Sequence, residues 1–345
     1  MSDDGECGEA IRATGLAKRF GAAGRSVEAV SDLTVSVARG ERVAYIGPNG
    51  AGKSTSIKIL TGILRPTAGS ARVLGLVPWR ERRRLAARIG TLFGQRSQLW
   101  PDLTARQSFT MLAAIYGLGS AKERLRVAEL GELLGATELF DAPVRQLSLG
   151  QRMRCELAAC LLHDPEILFL DEPTIGLDLL AKQRLRDLLV HLNGTCGTTV
   201  FLTSHDVADI EHVAERVVII NAGRVIHDGA VAALRRDLLA TKLVDVGLAG
   251  PAPTIDLPGV EVVEHNDTVL RLAVDTASVS IRAVLDTVLD RCEVSDISVV
   301  DPPLEQVIAR VYTASSAGAP EDASTGSSGP VELPATDPVR VGRQG

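Results

Sequence analysis

The sequence predicts an α/β fold in which apolar strands and helices alternate around a largely parallel sheet. The 345-residue chain is 45% hydrophobic, which is enough to bury a sizeable core. Apolar runs at 167–170, 198–203 and 217–221 are separated by segments with helical spacing, a pattern typical of parallel βα units covered on both faces. A glycine-rich turn follows the run Val43–Ile46 and precedes a helical segment, so strand, loop and helix succeed one another.

The N-terminal part of the chain predicts short strands followed by a helix. Residues 1–10 are polar, and we expect them to be disordered. The sequence alternates between polar and apolar residues over 11–20 and again over 27–47, which predicts an antiparallel edge layer. A helix is predicted over Ser54–Leu64, because its apolar residues have helical spacing and Pro66 follows.

The rest of the chain predicts three further regions. Residues 96–162, approximately, are rich in Ala and Leu and predict a helical insertion. Beyond Leu239 we expect a small α+β domain over 239–313, with strands at 242–247, 259–264, 269–274 and 294–300 and a helix at 278–289. Residues 314–345 are rich in Ser, Gly, Pro and acidic residues, a composition typical of disorder.

Charge, hydropathy and cysteine usage exclude several classes of protein. The formal net charge of -6 gives no general attraction to nucleic acid, and we predict no nucleic-acid partner. No apolar run approaches the ~18 to 20 residues that span a bilayer, and the acidic start lacks the features of a signal peptide, so we expect a cytoplasmic chain. The five cysteines form no CxxC pair, which argues against a disulfide framework and a zinc site.

The segment GPNGAGKST at Gly47–Thr55 fits the pattern of a phosphate-binding loop between a strand and a helix. Its glycines let backbone N–H groups approach phosphates, and the helix N-terminus favours negative charge. Lys53 is predicted to reach the β- and γ-phosphates and Ser54 to ligate Mg²⁺. The predicted nucleotide contacts in this loop are Gly47, Pro48, Asn49, Gly50, Ala51, Gly52, Lys53, Ser54 and Thr55.

Two carboxylates follow the apolar run ILFL, and a histidine follows another strand. Asp171 and Glu172 end the first strand, at the edge where ligands of open α/β sheets bind. With a bound triphosphate, Asp171 could hold Mg²⁺ through its water shell and Glu172 could act as general base toward the attacking water. His205, in TSHD, is predicted at the same edge, within reach of the γ-phosphate.

The segment LSLGQRM, with Ser148, Gly150 and Gln151, opens a helix between these two motifs. LSLGQ resembles the signature sequence LSGGQ of the ABC ATPases, and its position after the phosphate loop and before LFLDEP is the family's order. The resemblance covers about 11–234 and implies a P-loop NTPase cassette over 11–238. Such a cassette has a mixed-sheet core, an antiparallel β edge layer and a helical subdomain.

The resemblance also implies roles for residues outside the phosphate loop. Phe20 matches the aromatic residue that stacks on adenine, with a buried core phenylalanine as the alternative. Gln95 matches the glutamine that senses Mg²⁺, water and the permease, and its spacing to Pro101 fits better than that of Gln98. Asp178 matches a loop that crosses the dimer interface, and His205 matches the switch histidine.

By resemblance, the function is that of the ATP-hydrolysing subunit of an ABC transporter. The cofactors implied are ATP and Mg²⁺, and the partners are membrane permease subunits and a second copy of the chain. Two copies would enclose two ATP molecules, with Ser148, Gly150 and Gln151 of one copy facing the phosphate loop of the other. The location implied is peripheral, on the cytoplasmic side of the membrane.

Details of the motifs resemble exporters of the daunorubicin-resistance and viologen type. These details are FGQRSQLW, DEPTIGLD, DPPLEQVIARVY at 301–312 and LSLGQRMR, in which Leu149 replaces the family's glycine. We therefore expect export of a small amphipathic or cationic compound. An importer ATPase would have the same motifs and is the main alternative. A soluble ABC protein acting on ribosomes or DNA is disfavoured by the single cassette and the absence of sustained heptads.

Overall fold

The computed structural model of the protein describes residues 8–21, 26–93, 97–234, 241–249, 257–266 and 268–300. These residues form two sheets, the larger with nine strands in the order β4-β1-β2-β9-β8-β3-β7-β6-β5. Its strands are β1 (Glu9–Phe20), β2 (Val27–Ala38), β3 (Arg42–Ile46), β4 (Ala68–Val73), β5 (Ile89–Phe93), β6 (Ile167–Asp171), β7 (Thr199–Thr203), β8 (Arg216–Asn221) and β9 (Arg224–Ala230). Among these residues, no helix combines the length and apolar character needed to cross a membrane.

The larger sheet is parallel at its centre and antiparallel at one side. β8, β3, β7, β6 and β5 pair in parallel, whereas β4, β1 and β2 pair antiparallel and form the predicted edge layer. In β6, Leu168 and Leu170 pack toward the helical subdomain, whereas Ile167 and Phe169 pack toward the edge layer. This alternation shows that the sheet is covered on both faces, as predicted.

Besides a helical segment at 231–234, seven helices accompany the described part of this sheet. They are α1 (Lys53–Leu60), α2 (Arg82–Ala86), α3 (Ala105–Tyr116), α4 (Ser120–Leu133), α5 (Leu149–Leu161), α6 (Leu179–Cys196) and α7 (Val207–Val213). Together with two short 3₁₀ turns, α3, α4 and α5 form the predicted helical insertion. The capping box between Thr104 and Gln107 fixes the start of α3, and a second one between Ser148 and Gln151 fixes the start of α5.

The structure corrects two predicted boundaries and contains three strands that were not predicted. β1 begins at Glu9, within the segment predicted to be disordered, while residues 1–7 lie outside the described residues. α1 ends at Leu60 rather than at Leu64, because Gly62 has a φ of 76° and a Cβ there would lie 2.4 Å from the Pro78 carbonyl oxygen. β4, β5 and β9 were not predicted. In β5, Gly90 lowers strand propensity, but a Cβ there would lie 2.7 Å from Cys160 Sγ of α5.

A second sheet of four antiparallel strands follows the first in sequence. Its described elements are β10 (Thr241–Leu248), β11 (Val260–His265), β12 (Val269–Asp275), α8 (Ile281–Arg291) and β13 (Val294–Val300), with strand order β11-β12-β10-β13. Val244 and Leu272 on the sheet pack against Val284 and Val288 of α8. The domain boundaries at 239 and 313 and the disordered tail 314–345 fall on residues that are not described, so they stay predictions.

Candidate active site

A cavity of about 750 Å³ opens at the carboxyl ends of the central parallel strands. It lies where β3 leads into the phosphate loop and where β5, β6 and β7 end. Its lining residues are Ala29, Pro48, Asn49, Gly50, Gly52, Lys53, Ser54, Thr55, Lys58, Ile63, Phe93, Asp171, Glu172, Ile175 and His205. The fold therefore brings three separate sequence motifs to one edge of the sheet, the usual ligand site in open α/β sheets.

The phosphate loop is held by close backbone packing that only glycine permits at two positions. A Cβ on Gly47 would lie 2.5 Å from the Ile220 carbonyl oxygen, and one on Gly52 would lie 2.4 Å from the Ala29 carbonyl oxygen. Gly52 also has a φ of 102° and caps α1 without a side chain. The first N–H groups of α1 therefore point toward the cavity unobstructed, which is the arrangement that binds phosphate.

Lys53 lies at the base of the cavity and is 8% exposed. Its Nζ donates to the carbonyl oxygens of Gly47, at 2.5 Å, and Pro48, at 3.3 Å. Burial lowers the pKa of Lys53, while the negative charges of Glu172 and Asp171 act to raise it. The loop therefore holds the ammonium group in the same cavity as the two carboxylates. These are Asp171, the last residue of β6, and Glu172, which follows it.

Glu172 has an unusual backbone conformation, with a φ of 55°. Its N–H donates to Thr203 Oγ1 at 3.0 Å and lies 3.2 Å from the Thr203 carbonyl oxygen, which ties it to β7. Burial raises the pKa of Glu172, against the lowering effect of His205 and Lys53. Its Oε1 is buried and accepts no hydrogen bond from the described residues.

His205 lies between the lysine and the glutamate. Its Nε2 is 3.4 Å from Lys53 Nζ and 3.2 Å from Glu172 Oε1, and its backbone N–H donates to Glu172 Oε2 at 3.3 Å. The side chain is half exposed. Since the loop, the carboxylates and the imidazole surround one polar space, the arrangement suits a group that carries several negatively charged oxygens.

Asp171 and Ser54 supply oxygen atoms of the kind that Mg²⁺ prefers. Asp171 Oδ1 accepts from Thr203 Oγ1 at 2.8 Å, which orients the carboxylate. Within the described residues, no group of three or more His, Cys, Asp or Glu side chains could hold a metal ion. One hydroxyl and one carboxylate fit a cation that keeps waters and phosphate oxygens as its other ligands.

The residues predicted at the dimer interface lie away from the lining of this cavity; they are Ser148, Gly150, Gln151 and Asp178. Ser148 caps α5, and its backbone N–H donates to Gln151 Oε1 at 2.9 Å. Asp178 caps α6 by accepting from Ala181 N–H at 2.8 Å. Both caps are solvent-exposed, so one copy of the chain presents these residues on its surface.

Leu149, the departure from the family's signature, packs on the loop before α6. A Cβ on Gly176 would lie 2.3 Å from Leu149 Cδ2, and Gly176 has a φ of 75°. A Cβ on Gly150 would lie 3.9 Å from Leu177 Cδ2. The leucine side chain is therefore directed toward the loop of its own subunit, and the backbone of Gly150 next to it stays accessible.

The remaining predicted residues have different outcomes. Phe20 ends β1, is 42% exposed and has Lys18 Nζ 5.1 Å from its ring centroid, so it is not a buried core residue. It does not line the cavity, and neither do Gly47 and Ala51, which support the loop from behind. Gln95 lies outside the described residues. Its rival Gln98 donates Nε2 to the Thr91 carbonyl oxygen at 2.5 Å, away from the cavity.

Sequence reasoning missed several residues that shape the site. Thr203 bonds to both Asp171 and Glu172, and its position at the end of an apolar run just before Ser204 and His205 could have indicated it. Phe93 ends β5 and was missed because that strand was not predicted. The other lining residues that were not predicted are Ala29, Lys58, Ile63 and Ile175.

Comparison with known proteins agrees with this geometry. The ABC transporter family matches residues 30–175. Daunorubicin resistance ATP-binding protein DrrA3 of Streptomyces coeruleorubidus is 35% identical over 307 residues, which cover 86% of this chain and 94% of that protein. The chain belongs to the ABC transporter ATP-binding family. This ABC ATPase is also 32% identical to daunorubicin/doxorubicin resistance ATP-binding protein DrrA of Streptomyces peucetius over 305 residues, which cover 86% of this chain and 91% of that protein.

Solved structures of ABC cassettes have the same fold as this ABC ATPase. The dimeric cassette MJ0796, in a post-hydrolysis state bound to ADP and Pi, superimposes with a TM-score of 0.59 at 26% identity. The match covers 64% of this chain and 98% of that cassette. The predicted fold class and the predicted resemblance to daunorubicin-resistance-type ATPases are confirmed. The chain is the ATP-binding and ATP-hydrolysing subunit of a transporter.

Proposed function

We propose that this ABC ATPase drives export of a small amphipathic or cationic compound through separate membrane permease subunits. The observation that carries the proposal is the length of its match to the two daunorubicin resistance proteins. Each match covers 86% of the chain, more than the cassette alone contains, and so extends into the second sheet. An importer ATPase remains the second candidate, since the cassette motifs are common to both classes.

The geometry supports distinct roles for the residues around the cavity. Lys53 and the N–H groups of the loop would bind the β- and γ-phosphates, exchanging the loop carbonyls for phosphate oxygens. Glu172 would accept a proton from the attacking water as general base, beside His205. His205, within 3.5 Å of both groups, would contact the γ-phosphate. Gln95 would keep its predicted role of sensing Mg²⁺ and the water. Phe20 would keep its predicted role of stacking on adenine.

Mg²⁺ fits the oxygen donors on the floor of the cavity. Ser54 would bind the ion directly, and Asp171, oriented by Thr203, would hold it through its water shell. When bound, the ion supplies positive charge against the phosphate oxygens as the transferred group departs.

Two copies of the chain would complete two ATP sites. The exposed first turn of α5, with Ser148, Gly150 and Gln151, would face the phosphate loop of the partner, and Asp178 would lie at the same interface. This arrangement explains why these residues lie away from the cavity of their own chain. Such a dimer would be bound to the permeases at the cytoplasmic side of the membrane, without a nucleic-acid partner.

A pull-down with the Glu172→Gln variant tests the proposal. The variant is expected to hold ATP and keep the closed state, so detergent-solubilised membranes should yield polytopic permeases with it, identified by mass spectrometry. The wild type, cycling ATP, is the matched control and should retain less of them. Recovery of a secreted solute-binding protein with the permeases would favour import, and recovery of ribosomal or DNA-repair proteins would contradict a role in transport.

A further inference from the structure

A buried carboxylate on α5 has no part in the ATP chemistry described above. Glu156 is 4% exposed and lies among apolar neighbours on the same helix, which include Met153 and Leu157. Ser97 Oγ donates to its Oε1, and the backbone N–H of Gln98 donates to its Oε2 at 2.9 Å. Within the described chain, the carboxylate is thus held by hydrogen bonds from one segment, Ser97–Leu99, rather than by an ion pair.

Placing a charge at this position costs stability. Burial raises the pKa of Glu156, and the hydrogen bonds from Ser97 and Gln98 lower it again. An apolar side chain of similar size would extend the surrounding core without this desolvation cost. A carboxylate is therefore useful here for what it bonds to, because it fixes the position of one particular backbone segment.

The segment Ser97–Leu99 is bonded on its other side to β5, the strand whose last residue lines the ATP cavity. The Gln98 side chain donates to the Thr91 carbonyl oxygen of β5 at 2.5 Å. Two residues later that strand ends at Phe93, which lines the cavity. Phe93 at the cavity is therefore connected to Glu156 through the backbone of β5 and the hydrogen bonds of Gln98.

α5 extends this connection to the signature residues. Glu156 lies eight residues after Ser148, about 12 Å along the same helix. The first turn of α5 is exposed, whereas the middle of the helix is packed in the core. The position of the first turn relative to the cavity therefore depends on how the middle of α5 is attached.

We propose that Glu156 is a positioning residue that attaches α5 to the Ser97–Leu99 segment and keeps the signature residues in register with the ATP cavity. The inference depends on the proposed role of Ser148, Gly150 and Gln151 at the partner's nucleotide. Glu156 itself lies away from the cavity lining and acts through the helix.

The test compares Glu156→Gln with Glu123→Gln in the purified full-length chain. Gln keeps the shape of Glu156 but replaces one of its two acceptor oxygens with an NH₂ donor, so it cannot accept both hydrogen bonds. Glu123 is the matched control, because it also accepts a hydroxyl hydrogen bond in the helical insertion, from Thr110 at 2.5 Å, but it does not contact Ser97–Leu99. For Glu156→Gln we expect kcat to fall roughly tenfold or more, while KM for ATP stays within about twofold, because the phosphate loop is untouched.

A second readout follows the segment directly. The chain contains two tryptophans, Trp79 and Trp100, so a Trp79→Phe background leaves Trp100, adjacent to Leu99, as the reporter. Glu156→Gln should shift its emission to longer wavelength as the segment loosens, and Glu123→Gln should not. This readout needs neither ATP nor a permease, so it tests the attachment even if the proposed transport role fails.

Two results would overturn the inference: a folded Glu156→Gln chain with wild-type kcat, or an emission spectrum unchanged from the background. A kcat and a KM that both change, as in a general loss of structure, would count against it as well. If Glu156→Gln fails to fold, Ser97→Ala is the second variant, because it removes one of the two hydrogen-bond donors and leaves Glu156 in place. That variant should lower kcat by about threefold and shift Trp100 emission, and wild-type behaviour in both readouts would reject the role of Glu156.

Discussion

Backbone geometry gives two adjacent carboxylates different environments. Asp171 ends β6 in a regular strand and accepts from Thr203 Oγ1, whereas Glu172 takes a φ of 55° and enters the cavity. A positive φ costs a non-glycine residue about 1 kcal/mol or more, and the hydrogen bonds from Glu172 N–H to Thr203 hold it there. The sequence predicted the acid pair, but the conformation that separates their roles depends on β7, which is distant in sequence.

The raised pKa of Glu172 leads to a prediction for the pH dependence of ATP hydrolysis. A general base works in its deprotonated form, so activity should fall as pH decreases through the pKa of Glu172. Because burial raises that pKa, the acid limb of kcat should lie above the pH of an ordinary glutamate. Measuring kcat from pH 5 to 8, a window set by typical protein stability, checks this. A kcat that does not decline down to pH 5 would contradict the role of burial.

The elements around the site are joined by a buried polar network. Asp209 of α7 is fully buried and accepts from Thr174 Oγ1, Ser204 Oγ and Arg186 Nε, each at 2.6 Å. These donors belong to the loop after β6, to the residue before His205 and to α6. The network therefore fixes two loops of the site relative to two helices, and its members depend on one another for hydrogen bonding.

Removing the centre of this network should destabilise the protein strongly. Asp209→Ala leaves Arg186, which is 5% exposed, without its main partner, and we expect a loss of about 3–5 kcal/mol in the free energy of unfolding. Asp187→Ala is the control, because it breaks an exposed contact between the same two helices, to His212 at 2.8 Å, and should cost about 1 kcal/mol or less. Urea unfolding followed by circular dichroism measures both, and equal losses would rule out the proposed importance of burial.

Prediction from sequence succeeded where an element has its own local signal. The apolar runs of β6, β7 and β8 and all elements of the second sheet were predicted near their observed positions. β9 was missed because it depends on pairing with β8 through a tight turn, in which Ala222 and Gly223 have φ values of 46° and 75°. Such strands are stabilised by tertiary partners that local propensity does not reflect.

For the whole molecule, the proposed ATP site needs residues of a second copy in addition to the cavity of one chain. The motifs that follow strands of the central sheet meet at the cavity, since the carboxyl ends of parallel strands share an edge. The signature residues were predictable only by resemblance, because their proposed role requires a second copy. In one chain their side chains cap helices, and composition or periodicity would have predicted no more than that.

The most direct test is the oligomeric state of Glu172→Gln with ATP and Mg²⁺, measured by size-exclusion chromatography with light scattering. Without the general base the variant should bind ATP but hardly hydrolyse it, with turnover reduced by about 10²-fold or more. Since both nucleotides would then remain between the two copies, we expect a stable dimer with ATP and a monomer with ADP. A variant that binds ATP and stays monomeric would contradict the two-copy site.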